Sequence, residues 1–248
     1  MRGSYIERIQ KLSEKLSDPN LAVRARKMDS NTFSRNRKMS LKDILLCCLS
    51  KKGLTTALEL RNYFKQKGDL YMEISKQGYL QQRKRLNPEV FSYLNDEYLA
   101  DFYHSSEPKL WNGFLLLAID GSTLKNKMKF ESVTGKSTIY VDQDFRAQVL
   151  VYNMIQDIRK EADDKVSVKG REKNCRYPMR TNENIAIGLF KEQMIKLILE
   201  KDAERRRQLL FELQAEMEEH ILPQRKLPGK ERKKNISNKY KNNQKSSF

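Results

Sequence analysis

One carboxylate in this chain has the sequence context of a metal ligand for phosphoryl-transfer chemistry. Asp120 follows the apolar run WNGFLLLAI and precedes Gly121-Ser122. An apolar run bounded by turn residues indicates a buried strand over residues 111–120. A carboxylate at the end of such a strand can bind Mg²⁺. An Asp-Gly turn that only closes the strand fits the same residues. Asp120 is therefore a candidate metal ligand with a structural alternative.

A second group of residues has the types that contact DNA. Residues 54–86 have the pattern of a helix-turn-helix, and Ser75 can cap its second helix. Arg can bridge guanine and Gln can bridge adenine, because their paired groups match those base edges. The candidate DNA contacts in this helix are Lys76, Gln77, Gln81, Gln82, Arg83, Lys84 and Arg85. The alternative is a solvated helix that packs through Tyr79 and Leu80.

The charge balance predicts a polyanionic partner. The 248 residues include 49 Lys and Arg against 32 Asp and Glu, which gives a net charge of +17. An excess of this size favours nucleic acid over a membrane surface. Residues 24–52 hold nine Lys and Arg against two Asp, and residues 223–248 hold nine against one Glu. Both segments suit phosphate neutralisation. Arg35, Arg37 and Lys38 are the candidate contacts in the first.

Several function classes are not expected. The apolar stretches fall well short of the ~20 residues that a transmembrane helix needs, and the charged N-terminus does not resemble a signal peptide. Three cysteines give no disulfide framework, so a cytoplasmic protein is expected. Cys47 and Cys48 fit a helix core, and His104 and His220 have no zinc-like spacing. The sequence contains no glycine-rich phosphate loop.

Helical periodicity dominates the first hundred residues. Apolar spacing predicts a helix over residues 5–16 and another over 41–49, with Ser40 and Asp43 in capping-box position. Thr55 can cap a helix that runs to about Lys67, where Gly68 marks a turn. The helix after Ser75 is expected to reach residue 86. Pro88 opens the next one, whose apolar face is Val90, Phe91, Leu94, Tyr98, Leu99 and Phe102.

The pattern changes after Pro108. Residues 138–141 could form a second short strand, and residues 144–161 form a helix. The polar residues 163–184 are expected to be a loop. Residues 185–200 and 202–222 predict a helical pair. The basic tail at 223–248 has almost no apolar residues and is expected to be disordered on its own.

Three blocks of this sequence resemble bacterial insertion-sequence transposases. Residues 33–103 (FSRNRKMSLKDILLCCLSKKGLTTALELRNYF and SKQGYLQQRKRLNPEVFSYLNDEYLADFY) resemble their helical N-terminal part. Residues 115–122 (LLLAIDGS) resemble their first catalytic strand, with Asp120 matching the first Asp of the Asp-Asp-Glu triad. Residues 124–160 are similar to the segment after the catalytic Glu. The resemblance implies an RNase-H-like fold, bound Mg²⁺ and metal-dependent DNA cleavage and strand transfer.

The same resemblance implies an internal deletion. The second Asp and the Glu should lie well downstream of the first Asp, yet the third block begins two residues after Ser122. The branch in question carries a Tyr-x2-Arg-x3-Glu-x6-Lys signature. If Lys125 is its Lys, the other three positions fall on Trp111, Phe114 and Ala118, and none matches. Two-metal catalysis needs several carboxylates around ions ~4 Å apart, so we expect no productive metal binding and no catalysis.

These observations predict a mainly α protein in four parts. Residues 1–107 form a helical, basic DNA-binding domain, and residues 108–162 keep a remnant of an RNase-H-like α/β core. Residues 163–222 form a C-terminal helical region, and residues 223–248 a basic disordered tail. The expected partner is DNA at transposon ends, with a full-length transposase or a second copy of the chain as further partners. The alternatives are a regulator that blocks an intact transposase and a decayed product without function.

Overall fold

The structure is a computed structural model that describes residues 5–27, 32–34, 38–69, 74–105, 110–111, 114–115 and 137–224. These residues are mainly α-helical, as the sequence predicts. The helices are α1 (Tyr5–Lys15), α2 (Leu21–Ala25), α3 (Leu41–Leu49), α4 (Thr56–Lys67), α5 (Lys76–Lys84), α6 (Glu89–Ser105), α7 (Thr138–Glu172), α8 (Glu183–Leu199) and α9 (Ala203–Glu219). The strands are β1 (Leu110–Trp111), β2 (Phe114–Leu115), β3 (Met179–Thr181) and β4 (Ile221–Pro223).

The helix boundaries in the N-terminal half follow local signals in the sequence. The Ser40 hydroxyl accepts the Asp43 backbone N–H, and the Asp43 carboxylate accepts the Ser40 backbone N–H, which confirms the capping box of α3. The predicted ends of α1, α4 and α5 and the predicted start of α6 agree with the structure to within about two residues, the usual uncertainty of helix ends. Local signals therefore locate these helices, although the Thr55 side chain forms no capping hydrogen bond at the start of α4.

Helix α7 is the element that most of the other helices contact. It has 35 residues and is about 50 Å long at 1.5 Å per residue. It contacts α1, α3, α5, α6, α8, α9 and β3. Its buried apolar residues recur at helical spacing, among them Leu150, Met154 and Ile158. The main apolar core lies along this helix.

Two sequence-based predictions about this region are wrong. Residues 138–141 form the first turn of α7 and not a strand, because β-branched residues such as Ile139 give only a weak preference that tertiary packing overrides. The expected loop at 163–184 also fails, since α7 continues through Glu172. Ala162 and Val166 are buried and extend the apolar row of Ile158 by two turns. As a result α7 crosses the expected domain boundary at residue 162.

The apolar run at 111–120 does not begin as one continuous strand. Leu110 and Trp111 pair antiparallel with Leu115 and Phe114, so the start of the run belongs to two short paired strands, β1 and β2. Asn112-Gly113 stands between them in the sequence, and Asn-Gly is the dipeptide most favoured in two-residue hairpin turns. The Asn-Gly pair is therefore a sequence signal for these two strands, and the surrounding apolar run obscures it. Residues 116–120 lie outside the described residues.

The C-terminal helical pair is confirmed. Asn182 and Asp202 cap α8 and α9 with their side chains. Residues 221–223 form β4, which pairs antiparallel with β3, and do not extend α9. The Asp163 carboxylate accepts the Thr181 backbone N–H at 2.6 Å and so fixes β3 against α7. Across the helices that the structure describes, none is both long and apolar enough to cross a bilayer.

Candidate nucleic-acid interface

The first helix of the α4–α5 pair, α4, ends at Gly68. Gly68 has φ of +81°, which is the left-handed conformation that glycine adopts without steric cost. Its backbone N–H contacts the Lys65 and Phe64 carbonyls, and the Asp69 N–H donates to the Phe64 carbonyl at 3.0 Å. These bonds satisfy carbonyls at the end of α4. The chain turns here toward α5, and the two helices contact each other.

Helix α5 presents a polar stripe to solvent. The Ser75 hydroxyl accepts the Gly78 backbone N–H at 3.1 Å and begins the helix. Gln77, Gln81 and Lys84 are exposed at i, i+4 and i+7, a spacing that puts them on one side. Lys76 and Arg85 are also exposed, and Gln82 is half-buried. Within the described residues, Lys76, Lys84 and Arg85 form no ion pair.

Arg83 does not belong to the exposed stripe, which corrects the expectation that it contacts DNA. Its side chain is 0% exposed and points into the protein. Its Nη2 donates to Asp144 Oδ1 at 2.5 Å and to the Tyr140 carbonyl at 3.1 Å, and its Nε donates to Gln143 Oε1 at 2.9 Å. A guanidinium held in this way cannot reach a phosphate outside the protein without losing buried charge pairing.

Side chains of α7 also hold the backbone of α5. The Gln143 amide donates to the Arg83 carbonyl at 2.9 Å and to the Leu86 carbonyl at 2.7 Å. The Tyr140 hydroxyl donates to the Leu80 carbonyl at 2.9 Å. Carbonyls in the last turn of a helix have no partner inside the helix, so Gln143 acts as a cap from a distant element. These bonds fix the orientation of α5 and therefore of its exposed stripe.

The buried polar cluster beneath α5 is rich in cations. Lys51 Nζ lies 2.8 Å from both oxygens of Asp144, so Lys51 and Arg83 share one carboxylate. Lys191 Nζ donates to the Lys51 carbonyl at 2.9 Å and to Gln148 Oε1 at 2.7 Å. Burial and the adjacent Arg83 guanidinium lower the pKa of Lys51. Burial opposes the charge on Arg83, but the neighbouring Cys48, Tyr79 and Asp144 raise its pKa.

A second basic segment lies beside the end of α5. Arg26 forms an isolated antiparallel bridge with Leu86, and the Asn87 N–H donates to the Ala25 carbonyl at 2.9 Å. Residues 24–27 therefore run next to the last turn of α5, where Lys84 and Arg85 are exposed. The sequence shows both segments as basic but gives no signal that they meet, because the pairing is long-range. Of its three basic residues, Arg24 and Lys27 are exposed and Arg26 is half-buried.

Asp43 ties α3 to α4 and so supports the same unit. Its Oδ1 accepts the Tyr63 hydroxyl at 2.6 Å and the Lys67 ammonium at 2.8 Å, while Oδ2 accepts from Ser40. Burial acts to raise the pKa of Asp43, but the hydrogen bonds from Lys67, Tyr63 and Ser40 outweigh it and lower the pKa. The capping residue that the sequence identifies is thus also a tertiary contact.

The remaining candidates have separate outcomes. Cys47 and Cys48 are buried in α3, as expected, and burial raises the pKa of the Cys47 thiol to about 12. Lys38 is exposed. Asp120, Arg35, Arg37 and Lys125 lie outside the described residues, as does the tail from residue 225. Where side chains are described, no group of three or more His, Cys, Asp or Glu converges on a possible metal site.

Comparison with known proteins adds no assignment. No family model matches the chain, and no match is found among curated proteins or solved structures.

Proposed function

We propose that this chain binds duplex DNA through the exposed stripe of α5, defined as Gln77, Gln81 and Lys84 with the flanking Lys76 and Arg85. The observation that carries the proposal is the two-sided construction of α5. One side bears only amides and cations, while Arg83 and Tyr79 anchor the other side in the protein. A rigid helix with such a face matches the requirements of a recognition helix in the major groove.

Charge supports duplex DNA as the partner. Helix α5 contains no acidic residue, and the basic segment at residues 24–27 lies beside its last turn. The net charge of +17 favours polyanions over the whole chain. The resemblance of residues 33–103 to the helical part of insertion-sequence transposases points to the same partner and suggests transposon ends as the target.

We further propose that the chain is a transposase-like protein without catalytic activity. It keeps Asp120 as the match to one of three catalytic carboxylates, and the positions that the signature assigns to Tyr, Arg and Glu hold Trp111, Phe114 and Ala118. In the parent family Mg²⁺ binds between all three acids, and one carboxylate does not provide the ligands that two ions need. The proposed activity is therefore binding without cleavage.

The salt dependence of DNA binding tests the phosphate contacts. We expect the affinity for a labelled random-sequence duplex to fall as salt rises, measured by fluorescence anisotropy. Lys84→Ala/Arg85→Ala should weaken binding and reduce the slope of log affinity against log salt by about two, roughly one per lost contact. The matched control is Lys160→Ala/Arg205→Ala, which removes two exposed cations from α7 and α9. Equal slopes for both double variants would contradict the assignment to α5.

The glutamines of the stripe allow a test of base recognition. Selection from a randomised duplex pool should enrich sequences that wild type prefers over random DNA. Gln77→Ala/Gln81→Ala should lose this preference, since a bidentate contact is worth about 1–3 kcal/mol of discrimination, while the salt slope stays unchanged. If the double variant still prefers the enriched sequences, Gln77 and Gln81 do not read bases.

A cleavage assay tests the inactive-enzyme proposal. Inverted-repeat DNA incubated with the chain and Mg²⁺ or Mn²⁺ should remain intact while it is bound. Nicking or strand transfer that Asp120→Ala abolishes would overturn the proposal.

A further inference from the structure

The outward face of α9 carries a stripe of four residues that no contact within the described chain explains. Arg207, Phe211, Ala215 and Glu219 are all exposed, and Phe211 keeps 50% of its surface in solvent. They are spaced by four, so they form one continuous ridge along the helix. The opposite face, with Leu209, Leu210, Leu213 and Met217, is buried against the body of the protein. We name these four exposed residues the α9 stripe.

The two charged ends of the α9 stripe have no ion-pair partner in the part of the chain that the structure describes. Among the described residues, neither Arg207 nor Glu219 forms an ion pair. The neighbouring Glu218 differs, since Lys165 and Lys169 of α7 both lie within ion-pair distance of it. Within the described residues, the stripe therefore has an unpaired cation at one end, an unpaired anion at the other and an exposed aromatic ring between them.

The residue types along the α9 stripe are complementary to the same stripe read in the opposite direction. It runs cation, large apolar residue, small residue, anion. When a second copy is placed antiparallel, Arg207 of one chain lies opposite Glu219 of the other, and Phe211 lies opposite Ala215. A twofold axis repeats both pairings, as an isologous dimer interface requires. The small Ala215 leaves space for the opposing phenyl ring, and burial of Phe211 removes apolar surface from water.

We propose that a second copy of this chain docks antiparallel on the α9 stripe to form a twofold-symmetric dimer. The charge order favours this occupant, because an unrelated helix would need the same four residue types in reverse order. A single pair of helices buries less surface than a standard protein interface, so the dimer is weak and concentration-dependent. The proposal does not depend on DNA binding, and its test contains no DNA.

Charge reversal at the two ends tests the proposed pairing. We expect Arg207→Glu and Glu219→Arg each to raise the dimer dissociation constant by at least about tenfold, because each creates two like-charged pairs across the twofold axis. The combined variant Arg207→Glu/Glu219→Arg restores complementary pairs and should dimerise like wild type. An equal mixture of the two single variants should also form a heterodimer. Sedimentation equilibrium of the full chain over a concentration series measures each case.

The controls separate the stripe from a general effect of charge. Arg205→Glu makes the same charge change on an exposed α9 residue about 120° around the helix from Phe211, so it should leave dimerisation unchanged. Circular dichroism and thermal unfolding should be the same for all variants, since exposed substitutions rarely change stability by more than about 0.5 kcal/mol. A wild-type chain that stays monomeric at every concentration overturns the proposal. A dimer that survives both single reversals, or that the combined variant fails to restore, also overturns it.

Discussion

Arg83 of α5 and Asp144 of α7 form a buried ion pair with Nη2 and Oδ1 2.5 Å apart. The two residues are 61 positions apart in the sequence, and the pair joins the candidate recognition helix to the central helix of the fold. Arg83 occupies a position on the inner face of α5 where an amphipathic helix usually has an apolar residue. The orientation of the α5 stripe therefore depends on buried polar contacts in addition to the packing of Tyr79.

Adjacent basic residues of α5 should differ sharply in their effect on stability. Arg83→Ala removes one partner of a buried pair and should lower the free energy of unfolding by about 3–5 kcal/mol. Lys84→Ala changes an exposed residue and should stay within about 0.5 kcal/mol of wild type. Urea denaturation followed by circular dichroism measures both. Similar losses for the two variants would contradict the inward orientation of Arg83.

The carboxylate of Asp144 should contribute more to stability than the Lys51 ammonium that it pairs with. Asp144→Asn leaves Arg83 and Lys51 buried without an anion in this contact and should cost about 3–5 kcal/mol. Lys51→Met should cost much less, because burial and Arg83 already disfavour its charge and Asp144 keeps its ion pair with Arg83. The comparison again uses urea denaturation. A larger loss of unfolding free energy from Lys51→Met than from Asp144→Asn would contradict the central role of the Asp144 carboxylate in this cluster.

Stability should fall in acid through Asp43. The folded state lowers the pKa of Asp43 below its ordinary value of 3.8. The unfolded chain therefore takes up a proton first as the pH falls, so the contribution is present above about pH 4 and is lost as the pH passes through the folded pKa. Asp43→Asn removes this titration. The variant should be less stable than wild type at neutral pH, and the gap should narrow toward pH 3. A gap independent of pH in urea denaturation would contradict the assignment.

Two glycine-to-alanine changes should have opposite signs. Gly68→Ala forces a side chain into a φ of +81° and should destabilise the protein by about 1 kcal/mol, although the added Cβ would meet no other atom within 4 Å. Gly188→Ala lies within α8, with equally open space around it and without a positive φ, and should stabilise by about 1 kcal/mol. Thermal unfolding of the two single variants provides the comparison. Because neither added Cβ meets a neighbouring atom, the difference between the two variants reports the effect of backbone conformation without an effect of packing.

The parts of the fold that sequence analysis predicts well are those determined by neighbouring residues. Ser40 with Asp43, Gly68 and Ser75 each mark a helix end by a local contact, and the structure confirms each position. The apolar spacing of α6, α8 and α9 is equally local. By contrast, residues 163–172 look like a loop because most of their side chains are polar, and only Ala162 and Val166 indicate that α7 continues.

The orientation of α5 is beyond local pattern analysis for a physical reason. The helix is so polar that apolar periodicity does not identify its inner face, since Tyr79 and the neighbouring Leu80 are its only large apolar residues. Arg83 follows Tyr79 by four residues and so shares its face, which is the one available signal. The deciding partners, Gln143 and Asp144, come from α7 and are found only in the folded chain.

The continuity of α7 has a consequence for how this chain tolerates shortening. Its first turns hold α5 through Tyr140, Gln143 and Asp144, and its later turns hold α9 through Lys165 and Lys169. Helices α5 and α9 are thus both held in place by one continuous helix. Proteolysis or a premature stop inside residues 138–172 would separate the contacts of α7 with α5 from its contacts with α9. Fragments divided there should therefore be insoluble or rapidly degraded.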